Sequence, residues 1–116
     1  MKNKEKRAIE RILKYCNRIE EAINRFGDDE NIYMMDKQYQ DACGLAIIQI
    51  GENIKEFDQS FREKYDKIKW SSFVGMRNIF AHNYEGVIDD ITWSVIKEDI
   101  PELKNYLEDI KLKEEL

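Results

Sequence analysis

The chain's only histidine, His82, lies five residues after Arg77 in the string Gly75-Met76-Arg77-Asn78-Ile79-Phe80-Ala81-His82-Asn83-Tyr84. An imidazole moves protons near neutral pH. A guanidinium presents a planar, permanently charged fork that matches phosphate oxygens. The two together are a sufficient minimal set for metal-free RNA cleavage, in which a ribose 2′-OH attacks the neighbouring phosphorus and the guanidinium stabilises the charged pentavalent phosphate. Spacing alone does not decide the matter. On a continuous helix two residues five apart stand about 140° from each other, so Arg77 and His82 share a face only if the helix ends at Ala81 and the chain turns the imidazole back. A structural reading, with Arg77 paired to an acidic helix and His82 a helix cap, carries more weight from spacing by itself. Tyr84 alone reads as a half-buried amphipathic residue, and Asn83 as a turn former.

The elements that must hold this string are helical. Ile9, Ile12, Leu13, Cys16, Ile19, Ile23 and Phe26 recur at spacings of three and four, which predicts an amphipathic helix over residues 4–26. Gly27 follows as its C-cap, then Asp28-Asp29-Glu30-Asn31 as a polar connection. A second helix is expected from Tyr33 to Asp58 with two apolar stripes: Ile47, Ile50, Ile54 and Phe57 on one side, and Ala42, Leu45, Ala46 and Gln49 on the other. One stripe suits the first helix and the other a subunit interface. Gly51, costly in mid-helix, implies a close backbone approach. A loop is expected around Ser60 to Lys69, followed by a third helix through Trp70, Phe73, Val74, Arg77 and Ala81 that stops near His82. Asp89 or Asp90 caps a fourth segment containing Ile91, Trp93, Val95 and Ile96. Pro101 sits in the first turn of a last helix carrying Leu103, Leu107 and Ile110. These elements make one all-α domain over residues 1–116, a bundle of four or five helices.

Composition narrows the function classes. Of the 116 residues 37% are charged, with one proline and five glycines, which suits long helices with wet outer faces. No apolar run is long enough for a membrane span, and the charged start Met1-Lys2-Asn3-Lys4-Glu5-Lys6-Arg7 has no signal-peptide core, so the expected address is cytoplasmic. Cys16 and Cys43 are too few and too far apart for a zinc site and read as buried free thiols. The net charge of −5 is uneven: +4 over residues 1–25, −6 over 26–60, +3 over 61–84 and −6 beyond. An acidic total argues against a generic nucleic-acid coat but leaves room for a focused basic surface on the first helix and the motif segment.

Arg77, Asn78, three further residues, then His82-Asn83-Tyr84 resembles the R-x4-H-x-Y motif of HepT-type toxins of the HEPN family. Gln49-Ile50-Gly51-Glu52 resembles the family's second-helix block. Trp70 ahead of Gly75-Met76-Arg77-Asn78, and Trp93 with Asp99-Ile100-Pro101-Glu102-Leu103, resemble its downstream pattern, so the resemblance spans approximately residues 5–110. It implies an all-α HEPN-type bundle and a homodimer in which two copies of the motif face one cleft, one histidine acting as base and the other as acid. It further implies a metal-independent ribonuclease toxin without a cofactor, with Arg77 and His82 catalytic and Asn78 contacting RNA or orienting the cleft. The implied partner is an MntA-type nucleotidyltransferase antitoxin that adenylylates Tyr84. A nucleotide there places bulk and negative charge beside Arg77 and His82. Gln49 and Glu52 read as packing or hydrogen-bonding residues.

Two other functions remain open on the sequence. One is a non-catalytic HEPN subunit that docks a nucleotidyltransferase and uses the motif as a docking surface or modification target. The other is a helical dimer with a structural histidine.

Overall fold

The computed structural model describes residues 1–82 and 90–115, and every element among them is helical. Helix α1, Asn3–Phe26, buries Ala8, Ile9, Ile12, Cys16 and Ile19 along one stripe. It ends at Gly27, whose N–H donates to Ile23 O at 2.9 Å. The φ of Gly27 is 127°, a backbone conformation that side-chain-bearing residues rarely adopt.

The single second helix expected from Tyr33 to Asp58 is two helices, α2 (Glu30–Met35) and α3 (Lys37–Ile54). Asp36 breaks them. It adopts an extended conformation, and its Oδ1 accepts from the backbone N–H groups of Gln38 at 2.9 Å and Tyr39 at 3.2 Å. An aspartate can satisfy the orphan donors of a new helix in this way, and here that outweighs the continuing apolar pattern. The region expected to be a loop contains α4, Gln59–Lys64, capped by Asp58, whose Oδ1 accepts from Phe61 N at 3.0 Å. Helix α5 spans Trp70–His82. Helices α6 (Asp90–Ser94) and α7 (Ile100–Glu115) join through a π-helical turn, Val95–Asp99, in which Ile100 N–H reaches back to Val95 O. Pro101 follows this widened turn, which relieves the clash of a proline ring with the preceding turn's carbonyl. Asp89, one of the two expected caps of this segment, lies outside the described residues.

Helix α3 is the central element, packed on α1 at one side and α5 at the other. Tyr39, Cys43, Ile50 and Ile54 are wholly buried on it, and each large apolar side chain so removed from water contributes roughly 1.5–3 kcal/mol. Its second stripe is divided between core and surface. Ala46 is buried within the chain and α5 covers the Gly51 side, which leaves Ala42 and Leu45 exposed. Two aromatic clusters clamp the bundle. Tyr39 stacks on Phe26 and meets Tyr33 edge-on, with Trp93 beside them. At the other, Trp70 stacks on Tyr106 and meets Phe57 edge-on, and its Nε1–H donates to Tyr65 O at 2.7 Å.

Cys16 and Cys43 are free and buried, and burial pushes each thiol up to about 12. No helix of the described residues is long and apolar enough to cross a membrane.

Glu5 is a charged residue only 2% exposed. Its Oε1 accepts from Lys2 N at 3.2 Å and its Oε2 from Asp58 N at 3.0 Å, so one carboxylate ties the start of α1 to the start of α4. Glu5→Ala leaves two backbone donors without that acceptor and is expected to cost about 2 kcal/mol of stability. Urea unfolding checks this, and an unchanged midpoint would refute the role given to Glu5.

Candidate active site

Trp70 anchors the first turn of α5 in the aromatic cluster, which fixes the helix against α3. Arg77, two turns on, lies over Gly51. A Cβ on Gly51 would overlap Arg77 Cβ and stand 2.9 Å from both Arg77 Cγ and Phe73 O. The close approach expected from Gly51 is therefore real, and the group that needs the space is the stem of Arg77.

Arg77 is three-quarters buried along its side chain, and its Nε lies 2.6 Å from Glu52 Oε1. The Nε–H does not point at that oxygen, so the contact is one of charge rather than a directed hydrogen bond. Nη1 donates to Asn78 Oδ1 at 3.0 Å. Glu52 is shared, since Lys55 Nζ donates to the same Oε1 at 3.2 Å. Glu52 and Asn78 thus hold the guanidinium from two sides, Glu52 with a charge and Asn78 with an acceptor. The sequence read Glu52 as a packing or hydrogen-bonding side chain, and its adjacency to Gly51 was the available signal for its contact with Arg77.

His82 is exposed and is the last residue of α5 rather than the first beyond it. The helix stays continuous from Arg77 to His82, so the two side chains leave it about 140° apart. Arg77 turns in toward α3. His82 shares the outer face with Gly75, Asn78 and Ile79, of which Asn78 and Ile79 are exposed. A Cβ at Gly75 would meet nothing, so nothing within 4 Å in the described chain calls for a glycine there. Within one chain Asn78 stands between the other two, bonded to Arg77 and placed on the His82 side. Asn83 and Tyr84 lie outside the described residues. Among the described residues no three His, Cys, Asp or Glu side chains gather as a metal site.

A family model described as "Ribonuclease HepT-like" matches residues 12–110. The chain belongs to the ribonuclease HepT-like family. A Thermococcus cleftensis protein named "Probable ribonuclease HepT" is 32% identical over 111 residues, which cover 96% of this chain and 99% of the relative. A Caldanaerobacter subterraneus protein named as a candidate RNase is 32% identical over 106 residues, 91% of this chain and 93% of its own. A Methanocaldococcus jannaschii protein, named as a gamma-glutamylcyclotransferase and candidate RNase, is 40% identical over 107 residues. Those residues are 88% of this chain but 47% of that longer protein, so the HepT-like chain spans about half of it. No solved structure matches this one.

Proposed function

We propose that this HepT-like chain is a metal-independent ribonuclease that works as a homodimer. The observation that carries the reading is the guanidinium of Arg77, seated over Gly51 and held by Glu52 and Asn78 beside an outer face that ends in His82. Arg77 binds the scissile phosphate, and Asn78 orients the cleft or contacts the RNA. The 2′-OH attacks the adjacent phosphorus while His82 takes its proton. The P–O5′ bond breaks, and the His82 of a second copy gives a proton to the departing 5′-oxygen. The products are a 2′,3′-cyclic phosphate and a 5′-hydroxyl, with no net gain or loss of protons. Guanidinium charge on the pentavalent phosphorane lowers the barrier at the point where charge develops.

A second copy is supported by the divergence of Arg77 and His82 within one chain, because a cleft between two motifs supplies both groups to one phosphate. It is further supported by apolar residues left outside the core, Leu45 on α3 at 59% exposed and Ile79 on α5 at 53%. The same reading makes the protein the toxin of a pair whose nucleotidyltransferase antitoxin adenylylates Tyr84. A nucleotide on that phenol brings negative charge to the approach of the phosphate.

The test is RNA cleavage by unmodified, purified protein with chelator present, read beside its mass and oligomeric state. Chelator-resistant cutting by a dimer, ending in cyclic phosphate, is the expected result. A dimer that does not cut removes the ribonuclease reading in favour of a nucleotidyltransferase-docking subunit.

A further inference from the structure

We infer that the outer face of α1 is a track for the RNA backbone, separate from the motif on α5. The inference rests on the ribonuclease reading for the identity of the polyanion. Arg7, Arg11, Lys14, Arg18 and Arg25 are spaced by four, three, four and seven residues, which sets them on one face of α1, and all five are exposed. From Arg7 to Arg25 the row is about 27 Å long at 1.5 Å per residue. Among the described residues none of the five forms an ion pair.

The missing pairs are the informative part, because α1 carries acids that are engaged elsewhere. Glu5 is buried against backbone N–H groups. Glu10 pairs with Lys111 of α7 at 2.8 Å, and Glu20 with Lys104 of α7 at 2.9 Å. Only Glu21 is left beside the row. Arg7 with Arg11 and Lys14 with Arg18 are i,i+4 neighbours of like charge, and Arg11 with Lys14 adds an i,i+3 repulsion, an arrangement that destabilises a free helix. Glu10 and Glu20 are drawn to lysines of α7, which leaves cations as the larger part of the charge on this face, with Glu21 at its edge. Tyr15 stands within the row, its ring contacted by Lys14 at 5.4 Å and Arg18 at 6.0 Å from the centroid.

Five cations in a line, without an ion pair among the described residues, on a protein of net charge −5 form a focused positive strip rather than a general attraction for anions. A row of phosphates is the complementary shape. Binding there releases counterions from the nucleic acid and depends steeply on salt. A flat aromatic ring among the cations offers a surface on which a base can stack. The track takes substrate length beyond the scissile phosphate and leaves the chemistry to α5.

The experiment compares His82→Ala with the same chain carrying R11Q, K14Q and R18Q, by anisotropy of a fluorescein-labelled single-stranded RNA across a salt series. Removal of three phosphate contacts is expected to weaken binding about a hundredfold at about 0.1 M salt and to reduce the log–log salt slope by about 2. An R11K/R18K control keeps the charges and is expected to bind as before. With His82 restored, the triple variant should raise KM for long RNA and leave kcat unchanged. Unchanged affinity and slope in a folded triple variant overturn the track, whatever cleavage is found. Slope-dependent binding through α1 in a protein that does not cut would keep the track and remove the ribonuclease reading.

Discussion

His82→Ala is expected to lower RNA cleavage about 10²–10⁴-fold, the usual contribution of a positioned general acid–base group, while the unfolding free energy from urea titration stays within about 0.5 kcal/mol of the parent. The two halves of that expectation have separate causes. His82 is exposed at the last position of α5 and is not part of the buried core, so its loss removes chemistry and no packing. Arg77→Ala should behave differently. It removes the phosphate-binding cation, for which a loss of about 10²–10³ in kcat is typical of a single stabilising donor. It also strips the side chain beyond Cβ from its place against α3 and leaves Glu52 with only Lys55 as partner, so stability should fall with it. Arg77→Lys keeps a charge but not the fork, and should recover stability before activity. Cleavage assays beside urea denaturation separate these effects. Full cleavage by a folded His82→Ala dimer would refute the assigned chemistry, and equal stability losses in the His82 and Arg77 variants would refute the separation of roles.

The boundaries of α1 and α5 were legible because each carries a long apolar period with a clear stop. Gly27 closes α1, and α5 runs to His82, near which the sequence placed its end. The break at Asp36 was hidden because Tyr33, Met34 and Met35 continue into Tyr39 with helical spacing, and side-chain capping by one aspartate leaves no mark on that period. Helix α4 has six residues, too few for a period to emerge, and the useful sign was Asp58 three residues before Phe61. At the site, the sequence named Arg77 and His82 and saw that Gly51 admits a neighbour. It did not show that Arg77 is that neighbour, because contact across α3 and α5 depends on their rotation about each other. The structural alternative raised from spacing, an arginine paired to an acidic helix, describes Glu52 and Arg77 as they stand. The pairing and the proposed chemistry are compatible, since a carboxylate at Nε and the Asn78 oxygen at Nη1 leave Nη2 and the second Nη1 hydrogen for phosphate.

Gly51→Ala should reverse the usual sign of a glycine replacement in a helix. In an exposed helix interior the change gains about 1 kcal/mol. At Gly51 the new methyl overlaps Arg77 Cβ and lies 2.9 Å from Phe73 O, both fixed to the backbone of α5. Neither can rotate away, so α5 as a whole must move off α3, and overpacking of this kind costs about 1–3 kcal/mol. The net expectation is a loss of stability of roughly 1–2 kcal/mol, with cleavage falling further because Arg77 is carried away from Glu52. Gly75→Ala is the matched control on the same pair of helices. Its methyl meets nothing within 4 Å among the described residues, so the monomer fold should gain the ordinary helix contribution. Urea midpoints of the two variants read the contrast directly. A gain at Gly51 would show that α5 does not press on α3 as described. A loss at Gly75, growing with protein concentration, would report a second copy packed against that open face and would place the dimer contact next to His82.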